Sequence, residues 1–373
     1  MEKNTKLKDY SLKDLEYCKI HGRTVEGQYP VPLFFNGSAI EVNVTGTKLW
    51  IDIDVDFDTY EPWAGYEING ELMSRQMLMP GSYSLCLFRG MNPDSVKNVR
   101  FFRELQAMSD DSCYITVRGF QSDGLFLPIS DKRLKLEFVG DSITSGEGTY
   151  GATAEEDWIP MFMSCSHDYA TMIAKALNAD YRLISQGGWG VVCGWDNDPR
   201  HNIPSVYEKV CGLTSGERNE QLGASKPHDF RKWQPDAIIV NLGTNDCGAF
   251  NQPEWSDPVT GETFIQRLNP DGTYNQEDIL RFEKAVIDFL GMLRRNNPDS
   301  QLVWAYGMLG YELTLAITDA INEYRKLTGD NKVSFLQLPN TTTETIGSRS
   351  HPGVPSHERA AKVMIEYLQQ ILN

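Results

Sequence analysis

Two textures of apolar and polar residues meet near residue 130. From about 20 to 130 the two alternate with period two, as in Ala39-Ile-Glu-Val-Asn-Val, Lys48-Leu-Trp-Ile-Asp-Ile-Asp-Val and Cys113-Tyr-Ile-Thr-Val. Such alternation sends one set of side chains to a core and the other to solvent, which is the mark of half-buried strands. Asn36-Gly, Asn69-Gly and Pro80-Gly break the runs into short pieces, and no long helical pattern interrupts them. The expectation for residues 1–132 is an antiparallel, jelly-roll-like β-sandwich.

From residue 133 the pattern switches to strands alternating with helices. Leu134-Lys-Leu-Glu-Phe-Val reads as a strand ending at Gly140, and Arg182-Leu-Ile-Ser as another. Ala237-Ile-Ile-Val-Asn-Leu is almost continuously apolar, as a parallel strand covered on both faces should be. Leu302-Val-Trp-Ala-Tyr and Val333-Ser-Phe-Leu complete the set. Tyr169, Met172, Ile173, Ala176 and Leu177 fall on one helical face. Asn275 is placed to cap a helix over about 276–295 that stops before Asn297-Pro298, and further helices are expected at about 313–327 and 357–372. Residues 133–373 are therefore expected to form a three-layer α/β/α domain on a parallel sheet, with any ligand beyond the carboxyl ends of the strands.

Composition narrows the partners. A net charge of −16 argues against nucleic acid or an anionic membrane surface. No run of 18 apolar residues suggests a spanning helix. The opening MEKNTKLKDYSLKDLEYCKI has no apolar stretch of the secretory type, so a cytoplasmic location is expected. Seven scattered cysteines contain no Cys-x-x-Cys pair, which points to free thiols rather than a disulfide framework or a zinc site. Trp195-Asp196-Asn197-Asp198 lacks the rest of a calcium loop, so no metal is expected. The oligomeric state is left open.

Four short segments carry candidate chemistry. Gly140-Asp141-Ser142 follows a strand, and Ser142 is either an ordinary helix cap or a nucleophile with its hydroxyl exposed near a helix N-terminus, where negative charge is favoured. Ser185-Gln-Gly-Gly-Trp-Gly190 is either a structural turn or a row of backbone N–H donors. Gly243-Thr-Asn-Asp246 follows the buried strand and offers the Asn245 carboxamide to an oxyanion. His351-Pro352 precedes the last helix. Together the four supply the parts of acyl transfer, namely a nucleophile, a base and fixed donors for a tetrahedral intermediate.

In this order the four segments resemble the blocks of the SGNH (GDSL-like) hydrolases, over about residues 134–373. The resemblance implies Ser142 as nucleophile and His351 as base, with no cofactor. It implies oxyanion donors from the backbone N–H of Ser142, the backbone N–H of Gly190 and the side chain of Asn245. A sandwich ahead of such a domain, opening with Phe34-Phe-Asn-Gly-Ser-Ala-Ile-Glu-Val42, is similar to carbohydrate esterase family 2. That family removes acetyl groups from plant polysaccharides such as xylan and glucomannan. The expected substrate is therefore an acetylated oligosaccharide, with Trp189, Trp195 and Asp141 as the residues expected to meet it.

One position departs from the SGNH pattern, in which an Asp commonly stands three residues before the histidine. Here that residue is Ser348. Some family 2 esterases are similar in lacking the acid. A backbone carbonyl is then expected to hold the His351 ring, with Glu344 as the other candidate. Two rival functions remain at this level: a lipase, thioesterase or acyltransferase on the same machinery, and a carbohydrate-binding protein whose esterase site has decayed.

Overall fold

The computed structural model describes residues 6–108 and 111–372. The chain divides into two compact units. The first runs to Asp131 and also takes in Ile159–Met161 and Lys209–His228; the second holds Lys132–Trp158, Phe162–Glu208 and the chain from Asp229 onward. The segment 209–228 had been expected in the second domain. It buries Val210, Cys211, Leu222 and Ala224 in the first unit without any periodic pattern that would announce a partner.

In the first unit, alternation decides the architecture. Along Lys48–Asp56, Leu49, Ile51, Ile53 and Val55 are buried while the residues between them stay half-exposed. This strand lies in an antiparallel sheet with Tyr114–Ser122, Gly81–Arg89, Lys8–Ser11 and Val31–Pro32. A second antiparallel sheet joins Phe126–Leu127, Ala39–Val44, Lys97–Arg103, Trp63–Ile68 and Glu71–Met77, with Lys19–His21 on its border. Leu49, Ile51 and Ile53 of the first sheet share one core with Ile40, Val42, Val44, Val99 and Phe101 of the second. Each such side chain contributes about 1.5–3 kcal/mol of burial free energy.

The second unit is built on five parallel strands: β1 (Leu134–Gly140), β2 (Ala179–Ser185), β3 (Ala237–Asn241), β4 (Gln301–Gly307) and β5 (Val333–Leu338). Their order is β2-β1-β3-β4-β5. Among the described residues, four helices of eight residues or more accompany them: α1 (Tyr169–Ala176), α2 (Gln276–Asn296), α3 (Thr314–Thr328) and α4 (Val354–Ile371). α2 packs beside α3 and α4 beside α1, the pairing expected where right-handed crossovers run in opposite directions from β1 and β3 and so cover opposite faces. Asn275 caps α2 as expected, its side chain accepting the N–H groups of Glu277 and Asp278.

Strand order and register position the site. Strand order reverses between β1 and β3, and ligands of doubly wound sheets bind at such a switch point. Gly140 stands level with Ser185 of β2 and Asn241 of β3. The loops that follow these three residues therefore leave the sheet side by side, bringing the first three candidate segments to one edge. The Trp304 indole of β4 donates to the Leu242 carbonyl (3.1 Å) and the Asn241 side chain to Ala305 (2.8 Å), which fixes the exit of β3.

Candidate active site

Ser142 lies just beyond β1 in a set of tight turns. Ser145 N–H bonds Asp141 O, Gly146 N–H bonds Ile143 O, and Glu147 N–H bonds Ser142 O. The expected helix does not follow. Gly146 and Gly148 have φ of 75° and 85°, a left-handed conformation that stops a helix before it forms. Nor is Ser142 exposed as expected: it is 5% accessible. Its backbone N–H has no partner among the described residues.

His351 reaches Ser142 from a loop 209 residues away, with Nε2 2.9 Å from Ser142 Oγ. Its other nitrogen, Nδ1, lies 2.7 Å from the main-chain oxygen of Arg349. A carbonyl can only accept, so Nδ1 carries the proton and Nε2 is left to accept from the serine. Ser348, where the acid of the SGNH pattern would stand, turns away. Its buried hydroxyl donates to the Tyr150 carbonyl at 2.7 Å. Glu344 is exposed, accepts from Thr342 and is no partner of His351.

The histidine loop is clamped to residues 147–156. Arg349 N–H bonds Glu155 O at 2.6 Å, the Arg349 guanidinium bonds Glu147 Oε1 (2.9 Å) and Glu156 O (3.3 Å), and Ser350 bonds Glu156 Oε1. Gly148 has no room for a side chain, since a Cβ there would lie 2.6 Å from His351 Cβ and 3.0 Å from Ser348 O. Beneath the loop, His357 of α4 accepts from Tyr169 N–H, and burial pushes its pKa down to about 3.

The Asn245 carboxamide nitrogen stands 3.0 Å from Trp189 O and 3.2 Å from Asp141 Oδ2. Asp141 was expected to meet substrate. It is instead fully buried, with Oδ1 accepting Ile143 N–H, and so acts on the turn and on Asn245. Burial, with the nearby Asp246 and Glu147 carboxylates adding to it, raises its pKa to about 7. Asp246 accepts the N–H groups of Val191 (2.9 Å) and Val192 (2.7 Å) and so ties the glycine-rich turn to the short helix Thr244–Ala249 that follows β3. Burial pushes its pKa up to about 6 against the pull of those donors.

Gly190 corrects a second expectation. Its N–H donates to His201 O at 3.3 Å, and its own carbonyl accepts from Ile203 N–H, because the chain pairs with itself there as a short parallel bridge. What glycine provides at this position is space. A Cβ would lie 2.4 Å from Asp246 Oδ2.

Trp189 is half-buried and stacks on His201, with ring centroids 5.2 Å apart. Trp195 stands against Gly188 with half its surface open to solvent (52%). Two aromatic faces thus flank the glycine-rich turn, one engaged and one open. Among the described residues no cluster of His, Cys, Asp and Glu could hold a metal, and no helix is long and apolar enough to cross a membrane.

A nucleophile–base pair beside an unpartnered N–H and a carboxamide can carry out acyl transfer. The family model of the GDSL-like lipases/acylhydrolases matches residues 138–343, more than half of the chain. This chain belongs to that family. Within it, the chain is similar to the acetyl xylan esterase Est2A of the rumen bacterium Butyrivibrio proteoclasticus, at 57% identity and a TM-score of 0.96 over 98% of both chains. An acetylxylan esterase/glucomannan deacetylase of Cellvibrio japonicus is 27% identical over 261 residues, which are 69% of this chain and 62% of that protein. A family two carbohydrate esterase from Clostridium thermocellum, solved with cellohexaose, shares the fold (TM-score 0.78, 22% identity, 95% of this chain and 99% of that one). The chain spans between 36% and 64% of the length of the curated relatives it matches.

Glu147, Arg349 and Asp246 escaped the sequence reading of the site. Asp246 is adjacent to Asn245, and its buried latch was legible only in the word Gly-Thr-Asn-Asp. Glu147 and Arg349 carry no spacing signal, because they meet through turns that only the glycine conformations dictate.

Proposed function

We propose that the chain is a serine-dependent O-acetyl esterase acting on acetylated oligosaccharides derived from plant polysaccharides such as xylan or glucomannan. The observation that carries this reading is the 2.9 Å contact of Ser142 Oγ with His351 Nε2, together with the Arg349 carbonyl that assigns the proton to Nδ1. The similarity to Est2A, which extends over 98% of both chains, supports the acetyl group as the one removed.

In this reading the Ser142 hydroxyl loses its proton to Nε2 as its oxygen attacks the acetyl carbonyl carbon. The tetrahedral oxyanion accepts from the Ser142 N–H and from the Asn245 carboxamide, one of whose N–H groups leaves Trp189 O or Asp141 Oδ2 to reach it. Collapse expels the sugar hydroxyl, which takes the proton from His351 and leaves acetyl-Ser142. Water then gives its proton to His351, attacks the acetyl carbon and releases acetate, restoring the serine. No cofactor enters. Trp195 is the open aromatic face available to a sugar ring.

The test is mass spectrometry of acetylated xylo- and manno-oligosaccharides before and after incubation, with aryl esters of increasing acyl length in parallel. Loss of acetyl groups and a preference for acetyl over butyryl and longer esters are expected. Activity that rises with chain length, with the oligosaccharides left intact, would instead make the chain a lipase or thioesterase.

A further inference from the structure

The imidazole of His351 has a carboxylate beside it, on the side away from the one where an SGNH acid would stand. Glu147 Oε2 lies 3.8 Å from Nε2, while Glu147 Oε1 accepts the Arg349 guanidinium at 2.9 Å. Arg349 is also the residue whose carbonyl holds Nδ1. It sits in the left-handed region (φ 55°, ψ 33°), as does Ser350 (φ 53°), a conformation that a side-chain-bearing residue keeps only where its surroundings enforce it. The Glu147 side chain is 4% exposed and that of Arg349 28% exposed, so the pair is partly shielded from water.

We propose that Glu147 and Arg349 are the positioning residues that replace the missing acid, acting on His351 from two sides. The ion pair holds the Arg349 backbone so that its carbonyl faces Nδ1. The second Glu147 oxygen lies where positive charge appears when Nε2 takes the serine proton. The orienting and the charge-stabilising functions that one carboxylate performs in a triad are thus divided between a carbonyl and a glutamate remote in sequence. The arrangement deepens the reaction proposed above and rests on Ser142 and His351 being its nucleophile and base.

Other ionisable groups lie around the histidine loop and Ser142. Glu156 binds the Arg349 guanidinium through its carbonyl and Ser350 through its carboxylate. His357 lies beneath on α4, and burial keeps it neutral down to about pH 3. Asp141, pushed up to about 7 chiefly by burial, lies behind Ser142. Because burial also raises the Asp141 carboxyl, His351 is followed directly through its ring nitrogen resonances, assigned with the His351→Ala variant.

The experiment compares wild type, Glu147→Gln, Arg349→Met and Arg349→Lys with p-nitrophenyl acetate across pH, with thermal unfolding of each. Glu147→Gln removes a negative charge and leaves the guanidinium, so the midpoint read for His351 is expected to move to lower pH. Its kcat falls by about 10- to 100-fold with little change in KM. Arg349→Met removes the positive charge, so the midpoint moves the opposite way while kcat also falls. Arg349→Lys restores the midpoint.

Midpoints that stay at the wild-type value in both Glu147→Gln and Arg349→Met, whatever happens to unfolding, would reduce the pair to a structural clamp and overturn the proposal. Should Glu147→Gln fail to fold, the half-exposed Arg349 variants decide by the sign of their shift. Ser142→Ala, run alongside, separates the two levels. Retained activity in that variant would sink the nucleophile assignment itself, whereas a dead Ser142→Ala with unmoved midpoints would sink only the role of Glu147 and Arg349.

Discussion

The Nδ1 atom of His351 lies 2.7 Å from the carbonyl oxygen of Arg349, two residues earlier in the same turn. A neutral acceptor orients the imidazole, and neither Ser348, at the position of the SGNH acid, nor Glu344 takes part. Glu344→Gln is therefore expected to keep wild-type kcat/KM, since its side chain is exposed and bonded to Thr342. A fall of about 10⁴, as when a triad acid is neutralised, would contradict this geometry. Ser348→Ala removes a buried hydrogen bond to Tyr150 and should lower stability by about 1 kcal/mol, measured by urea unfolding, with a modest effect on rate.

Asn245→Ala should lower kcat by roughly 10²–10³ with KM nearly constant, the usual result of deleting one oxyanion donor. A change confined to KM would make Asn245 a substrate-binding residue. The single-substrate kinetics of an aryl acetate are sufficient to tell them apart.

Gly148→Ala introduces a methyl 2.6 Å from His351 Cβ at a φ of 85°. The histidine loop must give way, and a displacement of about 1 Å at the base costs on the order of 10² in rate. The expected outcome is a loss of kcat larger than the loss of stability would suggest. Wild-type kcat in a folded Gly148→Ala protein would show that the loop position is not what sets the rate.

Burial raises the Asp141 pKa to about 7 from an unfolded value near 4. The folded state therefore binds this proton more tightly than the unfolded state. The contribution of this group to stability is greatest below about pH 4, declines as pH rises towards about 7, and is flat above that. Asp246, raised to about 6 by burial, acts with the same sign. Urea unfolding at about pH 5 and about pH 8 should show the wild type losing stability on the order of a few kcal/mol from these groups, and Asp141→Asn losing less. An unchanged slope in Asp141→Asn would show that this carboxyl is ionised throughout the range.

Much of this was legible in the chain because parallel strands buried on both faces carry an unambiguous pattern. Ala237–Asn241 is wholly buried, and its ends, with those of β1 and β2, define where Ser142 and Asn245 emerge. Asn275 announced the start of α2 through its own side chain. Less was legible where backbone sign decides. Whether the chain after Ser142 coils into a helix or turns back rests on Gly146 and Gly148, and composition does not say which way a glycine turns. Gly190 was read as a donor because glycine exposes its N–H. Here that N–H bonds to His201, and the missing Cβ is what matters, making room for Asp246. Asp141 looked available to substrate because it neighbours Ser142, yet consecutive residues in a tight turn point in different directions, and this one points inward.

The central claim is that Ser142 carries the acetyl group during turnover. Wild type and Ser142→Ala are mixed with an aryl acetate, quenched in acid during turnover, and mapped by peptide mass spectrometry. The expected result is the mass of one acetyl group on the wild-type peptide containing Ser142, none in the variant, and loss of aryl acetate turnover by several orders of magnitude. Ser142→Ala turning over at more than about a tenth of the wild-type rate, far above that expectation, or an acetyl group found on another residue of both proteins, would contradict it.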